Sequence, residues 1–275
     1  MLNRNMLTEE EHNVLRLKYN PEGSILRKAQ LRMLDMLIYI DKICRENNLL
    51  YWLEGGNLLG AVRHKGFIPW DDDTDIYMPI KDMKQLKKIV LLDTNSNYIW
   101  HDHDTDSNEL CFWATLRDKK SEYIQEKKSH KIKKYRGLQV DIFPVELGIL
   151  HLPTKLADLT HNMLPYIIDR YPKYDFPIAF AKVLFSIERN IVFPLFRMFG
   201  KCFNKKDEYS NSYGVNFGFY PKDWIFPLTD IEFEGHMFFA PHDYKKYLKK
   251  KYGEDCFEMP AKDKIVTHEV EILFR

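Results

Sequence analysis

The chain has 275 residues and balances 41 Lys+Arg against 40 Asp+Glu for a net charge of +1, so no global field steers it toward nucleic acid. Hydrophobic residues make up 45% and charged ones 29%, the balance of a globular protein with one sizeable core, or a core and a smaller subdomain. MLNRNMLTEEEHNVL lacks the apolar run of a secretory leader, no long uninterrupted apolar stretch predicts a spanning helix, and Cys44, Cys111, Cys202 and Cys256 have neither zinc nor disulfide spacing, which predicts a cytoplasmic protein with reduced thiols.

In chain order, Ser24 precedes a long amphipathic run that stops at Asn47-Asn48 and predicts an N-capped helix. Residues 49–53, LLYWL, read as a strand ending at the Gly55-Gly56 turn. A short helix is predicted over 57–64, followed by Pro69-Trp70 and then Asp71, Asp72, Asp73 and Asp75. A strand over about 74–78, a helix over 81–92 and strands over 98–102 and 111–117 come next. Residues 119–136 carry eight Lys/Arg against two Glu, the composition of a solvated loop. LQVDIF, 138–143, reads as a further strand ended by Pro144. Residues 151–218 have a helical texture, with Pro177 and Pro194 at starts or kinks, and the core is expected to resume at about 219. This order predicts an α+β fold with a mixed β-sheet flanked by helices and a helical insertion.

The acidic cluster carries the chemistry. In a strand, residues two apart share a face, so Asp73 and Asp75 would project together. Paired carboxylates repel unless a cation lies between them, and hard oxygen ligands suit Mg²⁺ or Mn²⁺. Asp71 and Asp72 precede the strand and are expected to matter less. A solvated acidic loop is the plainer alternative, but the run is embedded in apolar sequence, Pro69-Trp70 before it and Ile76-Tyr77-Met78 after. Gly55 and Gly56 would let backbone amides approach a phosphate at a helix N-terminus, and Arg63, His64 and Lys65 would neutralise it or simply face solvent at the helix C-terminus. His101 and His103, in HDHD, have no evident further metal partner and read as polar-loop residues.

GGNLLGAVRHKGFIPWDDDTDI, 55–76, resembles the signature of the LicD family, which includes the fukutin-type proteins. ATLRDKK at 114–120, GLQVDIFPVE at 137–146, FPLTDIEFEGHMFFAPHDYKKYLKKKYGED at 226–255 and MPAKDKIVTH at 259–268 match in the same order, so the resemblance covers nearly the whole chain. Asn57 stands where the family usually has Thr; either can hydrogen-bond a phosphate oxygen or cap a helix. The resemblance implies a nucleotidyltransferase-like core over 1–150, a helical insertion over 151–218 facing acceptor or membrane, and a C-terminal part, 219–275, returning to the core. It implies Asp141 as a third carboxylate beside Asp73 and Asp75, all three metal-ligating and catalytic. Gly55, Gly56, Asn57, Arg63, His64, Lys65 and Arg117 would bind the donor's phosphates, and 119–136 would form a lid or rim. The implied reaction moves a phospho-substituent, phosphocholine above all, from a CDP-linked donor such as CDP-choline to a sugar hydroxyl of a lipid-linked surface-glycan precursor. A CTP-dependent nucleotidylyltransferase and a non-catalytic subunit of a glycan-assembly complex are the alternatives. Trp52, Trp70, Trp113 and Tyr77 are available for a choline cage but lie in apolar sequence that reads as core. The sequence leaves the roles of Glu234 and His268 open. Aromatic and aliphatic residues beside cations in 177–203 predict either packing on the core or peripheral contact with the cytoplasmic face of a membrane.

Overall fold

Thr8 and Glu11 form a reciprocal capping box that opens α1 (Glu9–Tyr19), and Ser24 accepts from the Arg27 amide at 3.2 Å to open α2 (Ile25–Glu46). The computed structural model describes residues 8–148, 151–203, 207–211, 218–260, 265 and 271–275, with backbone alone at 9, 151–154, 200–203 and 211. The apolar stripe of α2, including Met33, Met36, Leu37 and Ile40, is fully buried against a mixed sheet.

The first strand is only β1 (Trp52–Leu53), shorter than expected, because the chain turns at once into α3 (Gly55–His64). That helix begins at the Gly-Gly pair itself rather than after it. β2 (Asp75–Pro79) leads directly into α4 (Ile80–Leu92), and β3 (Tyr98–His101) and β4 (Ala114–Asp118) follow. The basic stretch is structured rather than looped. It contains β5 (Ser121–Tyr123) and the single turn α5 (Lys128–Lys131), and Lys128, Lys131, Lys133 and Arg136 pair with Asp175, Glu126, Glu109 and Glu122.

β6 (Gln139–Leu147) runs through Pro144, where the sequence predicted a stop. On one side β6 pairs antiparallel with β4 up to Ile142 and then with β7 (Glu208–Asn211) from Val145 onward. The proline falls between the two partners, where a missing N–H interrupts neither ladder. On its other side β6 pairs parallel with β2, so the central order is β1-β2-β6-β4-β3, and β8 (Phe219–Pro221) extends the sheet through β7.

Between β6 and β7 lie α6 (His151–Arg170), α7 (Phe176–Ile187), a π-helical turn at Glu188–Val192 and α8 (Phe193–Phe203). Pro177 occupies the first turn of α7, as expected of a helix-starting proline. Ala157, Leu164, Ile168, Ala181, Phe185 and Phe193 build a second small core with Leu110 and Phe112. The return to the sheet comes at β7, earlier than the expected 219, since Glu208–Asn211 completes the edge that β4 leaves open. After β8, the single turn α9 (Lys222–Ile225) leads to the hairpin β9 (Thr229–Phe233)–β10 (His236–Ala240), α10 (Tyr244–Tyr252) packs beside α3, and β11 (Ile272–Phe274) pairs with β5.

Glu234 sits at the tip of that hairpin with φ 50° beside Gly235 at φ 77°, the left-handed pair that a tight antiparallel turn requires. Its buried carboxylate accepts two bonds from Arg27, 3.1 and 2.7 Å, two from Arg16, 3.3 and 3.2 Å, and one from the Phe67 amide at 3.1 Å. Gly66 is required there, because a Cβ would lie 2.4 Å from the carboxylate oxygen. This one side chain therefore ties α1, α2 and the exit of α3 to the hairpin. His268 lies outside the described residues.

Candidate active site

β2 and β6 are adjacent parallel strands, and Asp75 is in direct register with Asp141. Register partners on parallel strands point to the same face, about 5 Å apart at the backbone. The backbone fixes both: the Asp141 amide donates to the Thr74 carbonyl at 2.8 Å, and the Glu54 amide to the Asp75 carbonyl at 3.1 Å. The Asn57 Oδ1 accepts from the Asp75 amide at 2.6 Å. Asn57 is buried and here positions the start of β2, a role distinct from the phosphate contact expected for it.

Asp73 lies in the loop before β2, exposed rather than in strand conformation. Its partner in that loop is Asp71, with which it shares a side-chain hydrogen bond. Asp71 was expected to be peripheral, but its Oδ2 lies 2.2 Å from where a Cβ on Gly56 would be, and Asp75 Oδ2 lies 3.0 Å from the corresponding point on Gly55. The glycines thus admit Asp71 and Asp75 to the first turn of α3, and Gly55 takes φ 59° to do so. The signal for Asp71 was present in the sequence as the alternation Asp71, Asp73, Asp75, but a strand beginning at 74 hid it.

The electrostatics are those of crowded anions. Burial, then the charge of Asp73, pushes the carboxyls of Asp71 and Asp75 well above the ordinary range. Burial raises Asp141 to about 6, against the pull of Arg117 and of hydrogen bonds from Gln139 and Trp113. Gln139 Nε2 reaches both Asp141 oxygens at 3.0 and 2.9 Å, and Trp113 Nε1 reaches one at 3.2 Å. Among the described residues, no three His, Cys, Asp or Glu side chains are already gathered closely enough to hold a metal ion. The donor set nevertheless fits a hard divalent cation: oxygen-only, concentrated in charge, and partly open to solvent at Asp73.

The expected phosphate-binding cations divide. Arg63 is half-buried, donates to the Glu258 carbonyl at 3.1 Å and acts electrostatically on Asp71. His64 is buried between the rings of His12 and Trp70 and accepts from Arg63 Nε at 3.0 Å. Burial, then Arg63, drives its pKa down to about 3, so it is a neutral core residue at physiological pH. Lys65 is the left-handed cap of α3, at the opposite end of the helix from Gly55, and its ammonium lies 3.9 Å from Glu232. Arg117 is turned inward: Nε donates to His101 Nδ1 at 3.2 Å and a terminal N–H to the Gly137 carbonyl at 3.0 Å. It therefore acts on Asp141 through its charge, from inside a network completed by Asp106 and Glu109 around His101. His103 bonds the Glu109 carbonyl at 2.9 Å. Trp52, Trp70, Trp113 and Tyr77 are all buried.

α10 brings to the site two residues, Tyr247 and Lys251, that no pattern in the sequence singles out. Lys251 pairs with buried Glu54, the residue just before the Gly-Gly turn, and Tyr247 donates to the other Glu54 oxygen at 2.5 Å. Tyr247 and Lys251 are one helical turn apart, so they meet Glu54 from a single face. Lys251 also acts on Asp75, and the Tyr252 hydroxyl lies 3.8 Å from the Cβ position of Gly55.

Residues 48–181 match the family model described as LicD/FKTN/FKRP, nucleotidyltransferase domain. These residues form a LicD-family domain. The chain is 42% identical over 73 residues to the lipopolysaccharide cholinephosphotransferase LicD of Haemophilus influenzae, 26% of this chain and 28% of that protein. It is 23% identical over 227 residues to the ribitol 5-phosphate transferase FKRP of Mus musculus, 81% of this chain and 31% of the relative. A 62-residue segment is 34% identical to the mannosyltransferase regulator 4 of Saccharomyces cerevisiae, 22% of this chain and 5% of that protein. The chain thus spans less than a third of the length of these relatives. Asp71, Asp75, Asp141 and Arg117 all fall inside the LicD-family domain; Lys251 and Glu234 lie beyond it.

His64 makes acid sensitivity testable. Its folded pKa of about 3 lies below the ordinary 6.5, so the unfolded chain binds the extra proton as pH drops through 6.5. Stability then falls toward pH 3 with a slope of up to about 1.4 kcal/mol per pH unit from this group. His64→Gln, which keeps a neutral acceptor for Arg63, should lose stability at pH 7 and close the gap to wild type by pH 5 in thermal melts. A gap that stays constant over that range would mean that His64 takes up its proton as readily in the fold as in the unfolded chain.

Proposed function

We propose that the chain is a divalent-metal-dependent phosphotransferase that moves a substituted phosphate from a CDP-linked donor to a sugar hydroxyl of a surface-glycan precursor. The observation that carries this reading is the register pairing of Asp75 with Asp141 beside the Gly55-Gly56 helix start, with Asp71 and Asp73 completing a crowded anionic cluster. Asp73, Asp75 and Asp141 would hold Mg²⁺ or Mn²⁺, which neutralises charge on the transferring phosphoryl oxygens.

The chain's own residues then have distinct tasks. Asp141, raised to about 6 and oriented by Gln139 and Trp113, takes the proton of the acceptor hydroxyl at its carboxylate oxygen. The acceptor oxygen bonds to the substituent-bearing phosphorus of the donor as the bond to CMP breaks, and CMP leaves. The first-turn amides of α3 and the Arg63 guanidinium bind the donor's phosphates. Lys251, held by Glu54, adds positive charge next to Asp75. Phosphocholine is the first substituent to test, given the cholinephosphotransferase among the relatives, and ribitol phosphate the second, given FKRP. We place the reaction at the cytoplasmic side, on a lipid-linked acceptor.

The test is a donor screen with CDP-choline, CDP-ribitol, CDP-glycerol and CDP-ethanolamine, with and without Mg²⁺, scoring CMP release and product mass. Metal-dependent release of CMP with one donor supports the reading. Pyrophosphate produced from CTP would replace it with a nucleotidylyltransferase, and no turnover together with no calorimetric metal binding would leave a non-catalytic subunit.

A further inference from the structure

Across α7, the π-turn and α8, one face packs on the second core while another meets solvent. Pro177, Ala181, Phe185 and Phe193 are buried. Phe176, Phe180, Val183, Ile187, Ile191 and Met198 are each between 45% and 65% exposed. They are three or four residues apart up to Ile191, and Leu195, 48% exposed, bridges the step to Met198, so they line up along one side of a continuous helical rod. The rod from 176 to 199 is about 35 Å long. Exposed apolar side chains aligned over such a length mark an interaction surface rather than scattered surface hydrophobics.

Charge decides what covers it. Glu188 is the only carboxylate between 176 and 199, and it is buried. Arg170, Tyr171, Lys173 and Tyr174 are exposed at the tip where α6 turns into α7. The cations expected to face headgroups do not all do so: Arg189 pairs with Asp104 and Arg197 with Glu146. Arg170 and Lys173 take that place. Asp175, the exposed carboxylate beside this tip, pairs with Lys128, so a second copy of the chain related by a two-fold axis would bring like cations, Arg170 and Lys173, against each other. An anionic bilayer surface instead complements the cations, accepts the apolar stripe among its acyl chains and suits tyrosines at the headgroup level. Among the described residues no helix is long and apolar enough to cross a membrane.

We propose that the outer face of 176–199, with the 170–174 tip, docks the protein reversibly on an anionic lipid surface, lying in the interface without spanning it. The proposal rests on this surface alone and stands or falls independently of the transferase reading. The test is co-sedimentation of the full chain with vesicles of phosphatidylglycerol and phosphatidylcholine at low salt. Most of the protein should pellet with anionic vesicles, and the bound fraction should fall in pure phosphatidylcholine and with added salt. Phe180→Ser with Ile187→Ser should weaken binding by roughly tenfold or more, with thermal melting unchanged because both side chains are exposed. Arg170→Glu with Lys173→Glu should abolish the preference for anionic vesicles. Wild-type protein left in the supernatant with anionic vesicles at low salt overturns the proposal. So does a stable dimer, seen by sedimentation equilibrium, that the serine variants dissociate.

Discussion

Asp75→Asn and Asp141→Asn are each expected to lower phosphate transfer by a hundredfold or more while raising, not lowering, the melting temperature of the metal-free protein. The activity loss follows from removing a charged oxygen ligand at the centre of the proposed site. The gain in stability follows from the observed crowding. Asp75 is pushed well above the ordinary carboxylate range by burial and by Asp73 and Asp141, so the charged form is costly in the fold and neutralising it removes that cost. Asp71→Asn should behave in the same way, because its carboxylate shares the Gly56 niche and a hydrogen bond with Asp73. Turnover and calorimetric melts with and without Mg²⁺ check both halves. An Asp141→Asn enzyme with near-native turnover removes Asp141 from the site, and variants that melt well below wild type without metal would show these carboxylates to be scaffold.

Glu234→Ala should destabilise the protein by about 3–5 kcal/mol, the cost of leaving buried guanidinium charge without its partner. In a chain of this size that lowers the melting temperature by on the order of 10 °C. The comparison variant is Asp230→Ala, which breaks an exposed pair with Arg45 on the same hairpin and should cost less than about 1 kcal/mol. Arg27 and Arg16 hold the Glu234 carboxyl below its ordinary range against burial, so its contribution is present above the unfolded carboxylate pKa and disappears as pH falls through the folded one. Denaturant melts at pH 7 and at about pH 2 should therefore show the two hairpin variants converging at the lower pH. Equal losses from Glu234→Ala and Asp230→Ala at pH 7 would mean that Glu234 does not tie the helices to the hairpin. Lys251 and Glu54 make the analogous tie on the other side of α3, where α10 reaches the Gly-Gly turn.

Much of the fold was legible in the chain because it depends on local periodicity. The stripe of α2, its Ser24 cap and α4 after the aspartates fall within a residue or two of their predicted places, and the strand around Asp141 starts within one of its own although it runs on past Pro144. Asp75 was legible for the same reason, as alternation in a short strand, whereas Asp141 came from the resemblance to the LicD signature. What local pattern does not carry is direction and partner. Whether His64 and Arg117 meet a ligand or the core depends on which side of α3 and β4 the second layer covers, and His12, Trp70 and His101 come from elsewhere in the chain. Pro144 reads as a stop until β4 and β7 are seen to exchange places beside it. Asp71 reads as peripheral until Gly56 is seen to make room for its carboxylate. Glu234 reaches Arg16 across 218 positions and Lys251 reaches Glu54 across 197. Those partners are separated by almost the whole sequence, so only the closing of the tertiary structure brings the charges within the few ångströms at which they act.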